Sequence, residues 1–245
     1  MIKSVTFANI NALVYIPDNA CGIAESGGGL VSQSTDGVQQ GLPMMVFLHG
    51  IGEQGDTVAD LAKIQKLPPL SLAEQQKFPF IIISPQLKKS YGSWPVKYIH
   101  SVIQYGIDAY KPDITKIYLA GISLGGGGVW SYAQTTTIPY TVKGATIQVP
   151  RVKLAAIVPC CGYQNSPSKA VNVDMPVYAF HGMADGTVDI SITIRMLNAL
   201  VKVGKNPLHT FYPDTGHNCW GKAFSVDHTY QNPNIYEWLQ LQKLN

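Results

Sequence analysis

The strongest constraint on this chain is the way short apolar runs alternate with stretches of helical periodicity from Met44 onward. The runs at 44–48, 80–84, 117–120, 154–158, 177–180 and 208–212 are nearly continuous in apolar residues, the pattern of parallel strands covered on both faces. Between them, 57–66, 96–110, 124–133, 190–203 and 233–241 carry helical spacing, with Asp56 a candidate cap for the first and Gly204 a terminator for the fourth. Strands alternating with helices predict an α/β fold, a mainly parallel central sheet with helices on both faces. The opening differs. Segments 5–7 and 12–16, around Asn9-Ile10-Asn11, predict an antiparallel pair and bring the sheet to about eight strands.

A chain of 245 residues, 46% of them hydrophobic, has the material for one large core. No linker divides it, so 1–245 reads as a single domain. Segment 18–41, rich in Gly, Ser and Gln and without periodicity, reads as a long surface loop. Only 13% of residues are charged, and the net charge of +3 is spread without Lys/Arg runs, which argues against nucleic-acid or acidic-membrane partners. No apolar stretch reaches the roughly 18 residues of a membrane span. The polarity comes instead from Ser, Thr, Asn, Gln and Gly, which favours a secreted or periplasmic protein, its signal removed, over a cytoplasmic one. Cys21, Cys160, Cys161 and Cys219 lack the CxxC pairs of a zinc site, so no metal is expected. Buried free thiols, or a bridge from Cys219 to Cys160 or Cys161, are both open.

Gly121-Ile122-Ser123-Leu124-Gly125 follows an apolar strand run and opens a helical one. That context suits a nucleophilic serine on a tight strand-to-helix turn, where residues two before and two after must be small. A serine hydroxyl needs a base, and the base needs an orienting carboxylate. His217, in the turn-rich Asp214-Thr215-Gly216-His217-Asn218 beyond the last strand, is the candidate base. His49 and His181 each end a strand before Gly and read as loop-binding residues, while His100, His209 and His228 stand in no motif. For the acid, the order Ser, Asp, His points to Asp185, just after the strand ending at His181-Gly182. Asp189 is the alternative, though it suits a helix N-cap better. Backbone N–H groups of Leu124 and Ile51 are the candidate oxyanion donors. Trp94, Tyr91 and Trp220 flank strand-end loops and are candidate pocket walls, Glu53 is a candidate substrate contact or a solvated loop carboxylate, and Trp130 reads as core.

Leu48-His49-Gly50-Ile51-Gly52-Glu53, Gly121-Ile122-Ser123-Leu124-Gly125-Gly126, His181-Gly182 with Asp185 and Val188, Gly216-His217-Asn218 with Trp220, and Asn234-Ile235-Tyr236-Glu237-Trp238-Leu239 together resemble the esterase and predicted-peptidase branch of the α/β-hydrolases. That branch includes feruloyl esterases, acetyl xylan esterases and dienelactone hydrolase-like proteins. The resemblance spans about Leu42 to the C-terminus. It implies hydrolysis of carboxylic esters through a Ser-His-Asp triad, without metal or organic cofactor, on small or polysaccharide-linked esters carrying short acyl or hydroxycinnamoyl groups. Asp189, where a proline often follows the valine, and Cys219, where a small residue is expected, depart from the pattern. Two rivals share the sequence features: a serine peptidase of the same fold, whose usual gating domain would not fit in this length, and a binding module, which would be expected to have lost a triad member.

Overall fold

The computed structural model describes residues 1–18, 20–21, 31–32, 40–142, 144–163 and 166–245. Its main sheet has eight strands: β1 Ile2–Phe7, β2 Ile10–Tyr15, β3 Met44–Leu48, β4 Ile81–Pro85, β5 Ile117–Ile122, β6 Ala156–Cys160, β7 Tyr178–Gly182 and β8 Leu208–Tyr212. Their spatial order is β1-β2-β4-β3-β5-β6-β7-β8. β2 is antiparallel to both β1 and β4, and every other pairing is parallel. The predicted α/β architecture is therefore present.

Continuous apolar runs are needed in β3 to β7, where both sheet faces are covered; β8, at the sheet edge, is largely exposed, so the expectation fails for 208–212. Along β3, Met44, Val46 and Leu48 pack on one face while Met45 and Phe47 pack on the other, as the period of two requires. The first face receives residues of α3 (Val96–Tyr110), α4 (Leu124–Ala133) and α5 (Ser191–Lys202). The second receives α1 (Leu61–Gln65), α2 (Leu70–Gln76), α6 (Trp220–Ala223) and α7 (Ile235–Gln240). Gly204, at φ +78°, follows α5 as expected of a helix terminator.

Several local readings change. The β1–β2 turn is Ala8-Asn9, both at positive φ, because Phe7 pairs with Ile10; the two-residue form matches strand twist better than the expected Asn9-Ile10-Asn11. Segment 57–66 divides into a 3₁₀ turn, Val58–Asp60, and α1. Thr57 and Asp60 form its capping box, and Asp56 instead accepts the Lys89 N–H. Helices α2 and α6 and an antiparallel hairpin of Thr137–Val142 with Ala145–Pro150 were not anticipated. Within 18–41, short antiparallel strands pair at Ala20–Cys21, Val31–Ser32 and Gln40–Gly41. The rest of that expected loop lies outside the described residues.

Candidate active site

Ser123 sits between β5 and α4 with φ 51° and ψ −115°, a conformation a non-glycine residue adopts only when its surroundings impose it. Here the imposition is visible. The Ser123 N–H donates to the Cys160 carbonyl at 2.8 Å, and its own carbonyl accepts from Gly127 N–H at 3.0 Å. A Cβ on Gly121 would lie 2.7 Å from the Gly125 backbone, and one on Gly125 would strike the Leu48 carbonyl. Only glycines let the turn close this tightly against β3.

The loops after β7 and β8 complete the constellation. Ser123 Oγ lies 2.8 Å from His217 Nε2, and His217 Nδ1 lies 2.8 Å from Asp185 Oδ2. Asp185 Oδ1 accepts the N–H groups of Thr187 and Val188, each at 2.9 Å. Its side chain is inaccessible to solvent. Burial raises the Asp185 carboxyl pKa, but hydrogen bonds from His217, Val188 and Thr187 outweigh burial and hold it below the ordinary carboxylate value. The anionic acceptor fixes Nδ1 as the donor, so Nε2 faces the serine as a proton acceptor. Asp189 is elsewhere: its Oδ1 takes the Ser191 N–H just ahead of α5, where Ile190 and not Asp189 is the N-cap residue.

His181 enters the site in a way the sequence did not announce. Its Nε2 lies 3.1 Å from Asp185 Oδ2 and 2.9 Å from the Val188 carbonyl, while Nδ1 is 2.8 Å from Thr193 Oγ1. With the threonine hydroxyl donating to Nδ1, the Nε2–H braces the loop that carries Asp185. The histidine placed as a loop-binding residue thus holds the carboxylate as well. Its four-residue spacing from Asp185 was the only signal, and it does not distinguish this contact from many others.

On the other side of Ser123, the loop after β3 forms the 3₁₀ turn Ile51–Glu53. A Cβ on Gly50 would stand 3.5 Å from Ser123 Cβ, so this loop abuts Ser123. Neither Leu124 N–H, at the first turn of α4, nor Ile51 N–H has a protein acceptor among the described residues. Glu53 is turned onto its own loop, where its carboxylate accepts the Gly50 N–H, and burial raises its pKa. His49 anchors the same loop: its Nδ1–H donates to the Gly50 carbonyl at 2.6 Å and its Nε2 accepts the Leu87 N–H at 3.0 Å.

The aromatic wall needs correcting. Trp94 is only 2% exposed, and its indole N–H donates to the His49 carbonyl at 3.1 Å, so it supports the loop from below instead of lining a cleft. Trp220 does stand beside the triad, half-buried, with its ring perpendicular to His217 at 5.5 Å. Tyr91 is exposed, and Trp130 is core as expected. Among the described residues, two clusters have the donor atoms to hold a metal, Cys160 with Cys161 and Cys219, and Cys161 with His181 and Asp185, each set lying within 4.8 Å. In the second, the carboxylate is already engaged by two histidines.

Comparison with known proteins agrees with this fold. The prolyl oligopeptidase family profile matches residues 129–243, a little under half of the chain, including Asp185 and His217 but not Ser123. No curated protein matches the sequence. Among solved structures, a thermostable esterase is similar over 100% of this chain, with TM-score 0.65 and 20% identity, but the chain spans only 63% of that protein. The carboxylesterase Cest-2923 of Lactobacillus plantarum is similar over 97% of this chain and 90% of its own, with TM-score 0.60 and 15% identity. A truncated carbohydrate esterase from gut microbiota follows at 94% and 90%, with TM-score 0.59 and 15% identity. From its strand order, its strained strand-to-helix serine and these likenesses, the chain belongs to the proteins of the α/β-hydrolase fold.

Proposed function

We propose that the protein is a serine carboxylic-ester hydrolase, acting through an acyl-enzyme on short-acyl or hydroxycinnamoyl esters such as those that decorate plant polysaccharides. The observation that carries this reading is the unbroken relay Ser123–His217–Asp185, with both contacts at 2.8 Å, beside two backbone amides without protein acceptors among the described residues. His217 takes the serine proton as Oγ attacks the ester carbonyl. The oxyanion then forms near the amides of Leu124 and Ile51, which are held by the backbone and need no reorganisation. The imidazolium returns the proton to the departing alcohol, and water repeats the cycle to free the acid.

Exposure at the site supports the short-acyl part of this reading. Ile51, in the loop that abuts Ser123, is 66% exposed, so the site is open on that side. A long acyl chain would find few places to bury methylenes at about 0.8 kcal/mol each. The profile match favours a second reading, a serine peptidase. It uses the same residues but must protonate a poorer leaving group.

Labelling with a fluorophosphonate probe, with Ser123→Ala as control, tests the nucleophile without knowledge of the substrate. Stoichiometric labelling that vanishes in the variant is expected; labelling that survives it removes Ser123 from the mechanism. A series of p-nitrophenyl esters from C2 to C16, run beside methyl ferulate, acetylated xylan and a chromogenic peptide, tests the class. Values of kcat/KM that rise toward C16, or a peptide cleaved faster than every ester, would overturn it.

A further inference from the structure

Behind the triad, outside the chemistry just described, three buried thiols converge from two loops. Cys160 ends β6, Cys161 follows it at φ +50°, and Cys219 stands two residues after His217. Cys161 Sγ and Cys219 Sγ are 2.8 Å apart, whereas Cys160 Sγ lies 3.4 Å from Cys219 and 4.0 Å from Cys161. The closest pair is therefore less than ~1 Å longer than the S–S bond of a disulfide, about 2.04 Å. The surrounding backbone is fixed as well: Cys161 N–H donates to the Phe180 carbonyl at 2.9 Å, and Cys219 N–H donates to the His217 carbonyl at 2.8 Å. Little movement separates these thiols from a bond.

We propose that Cys161 and Cys219 form a disulfide in an oxidising compartment, pinning the His217 loop to the end of β6, with Cys160 left as a free thiol. The oxidant is a small-molecule disulfide of the glutathione class. A thiolate of the pair attacks it, giving a mixed disulfide and releasing one small thiol. The second cysteine thiolate then attacks the protein-borne sulfur, forming Cys161–Cys219 and expelling the other small thiol. Two electrons pass from the two cysteines to the oxidant, and both protons leave with the small thiols. Because both side chains are buried, the exchange runs while the loop is open, as it is during folding.

The closed ring spans about 58 residues (219 − 161) and contains both Asp185 and His217. A cross-link of that length restricts the unfolded chain strongly. It also ties the base loop to the strand whose Cys160 carbonyl holds the Ser123 amide, so the nucleophile and the base share one covalent frame.

The test is to refold the full chain in oxidised or in reduced glutathione, alkylate it under denaturing conditions and map its peptides. The oxidised sample is expected to show a Cys161–Cys219 peptide, two fewer alkylated thiols and an unfolding midpoint higher by roughly 5–15 °C. The midpoint difference should vanish in Cys219→Ser and persist in Cys160→Ala. Full alkylation after oxidative refolding, a linkage through Cys160 or Cys21, or an undiminished difference in Cys219→Ser would overturn the assignment. These readouts are independent of ester hydrolysis, so they stand or fall separately from the proposed activity.

Discussion

The two oxygens of Asp185 do different work, and this makes its substitution informative. Oδ1 is spent on two backbone amides, so the loop survives if the charge is lost; Oδ2 sets the tautomer of His217. Asp185→Asn is expected to lower kcat on a small ester by about 10⁴, the loss seen when a triad histidine is held in the wrong tautomer. Asp189→Asn should leave kcat within about tenfold, because that exposed side chain only takes the Ser191 N–H ahead of α5, a bond an amide oxygen can also accept. Steady-state kinetics of the two variants on one p-nitrophenyl ester decides the matter, and equal losses would contradict the geometry. Ser123, His217 and Asp185 were legible in the sequence because each lies at a strand end in a context that few other roles produce. Trp94 was not. Its position beside a loop says nothing about which way an indole points, and the buried His49 carbonyl draws it inward.

Among the elements, α7 shows how much of a helix can be read from its first turn. Asn234 accepts the N–H groups of Tyr236 and Glu237, and Glu237 reaches back to the Asn234 N–H. Asn234→Ala should cost about 1 kcal/mol and lower Tm by about 2–4 °C. Thermal unfolding followed by circular dichroism measures this, and an unchanged midpoint would mean the cap is dispensable. The buried strands were legible for a related reason: with both faces covered, their apolar runs tolerate no interruption. The hairpin of Thr137–Val142 and Ala145–Pro150 was not, since Pro139 argues against a central strand. Among the described residues this hairpin pairs only with itself and is largely exposed, so a missing donor is tolerated. Helix α2 was hidden by its entry through Pro68-Pro69, which reads as a break, although proline is acceptable at the start of a helix.

For the molecule as a whole, acid should be destabilising in a defined window. Burial pushes His49 down to about 4, against the Gly50 hydrogen bond that favours its charged form. In the unfolded chain it titrates near 6.5. Between those values the unfolded state holds one more proton than the native state, so stability rises with pH across the window and is reduced as pH falls through it. The accumulated loss at pH 4 is about 3 kcal/mol from this residue. Urea titrations at pH 7, 5 and 4 should show it, and His49→Gln should remove that part of the slope. A second whole-molecule consequence lies in the separation of the triad along the chain. Ser123 and His217 are 94 residues apart, and each stands at the end of a different parallel strand. Parallel pairings close only after long stretches of chain have been brought together, at an entropic cost that slows them. Assembly of the proposed site is then a late event in refolding. Fluorophosphonate reactivity of Ser123 should return after the helical circular dichroism signal, and simultaneous recovery of the two would show that the site assembles with the first helices.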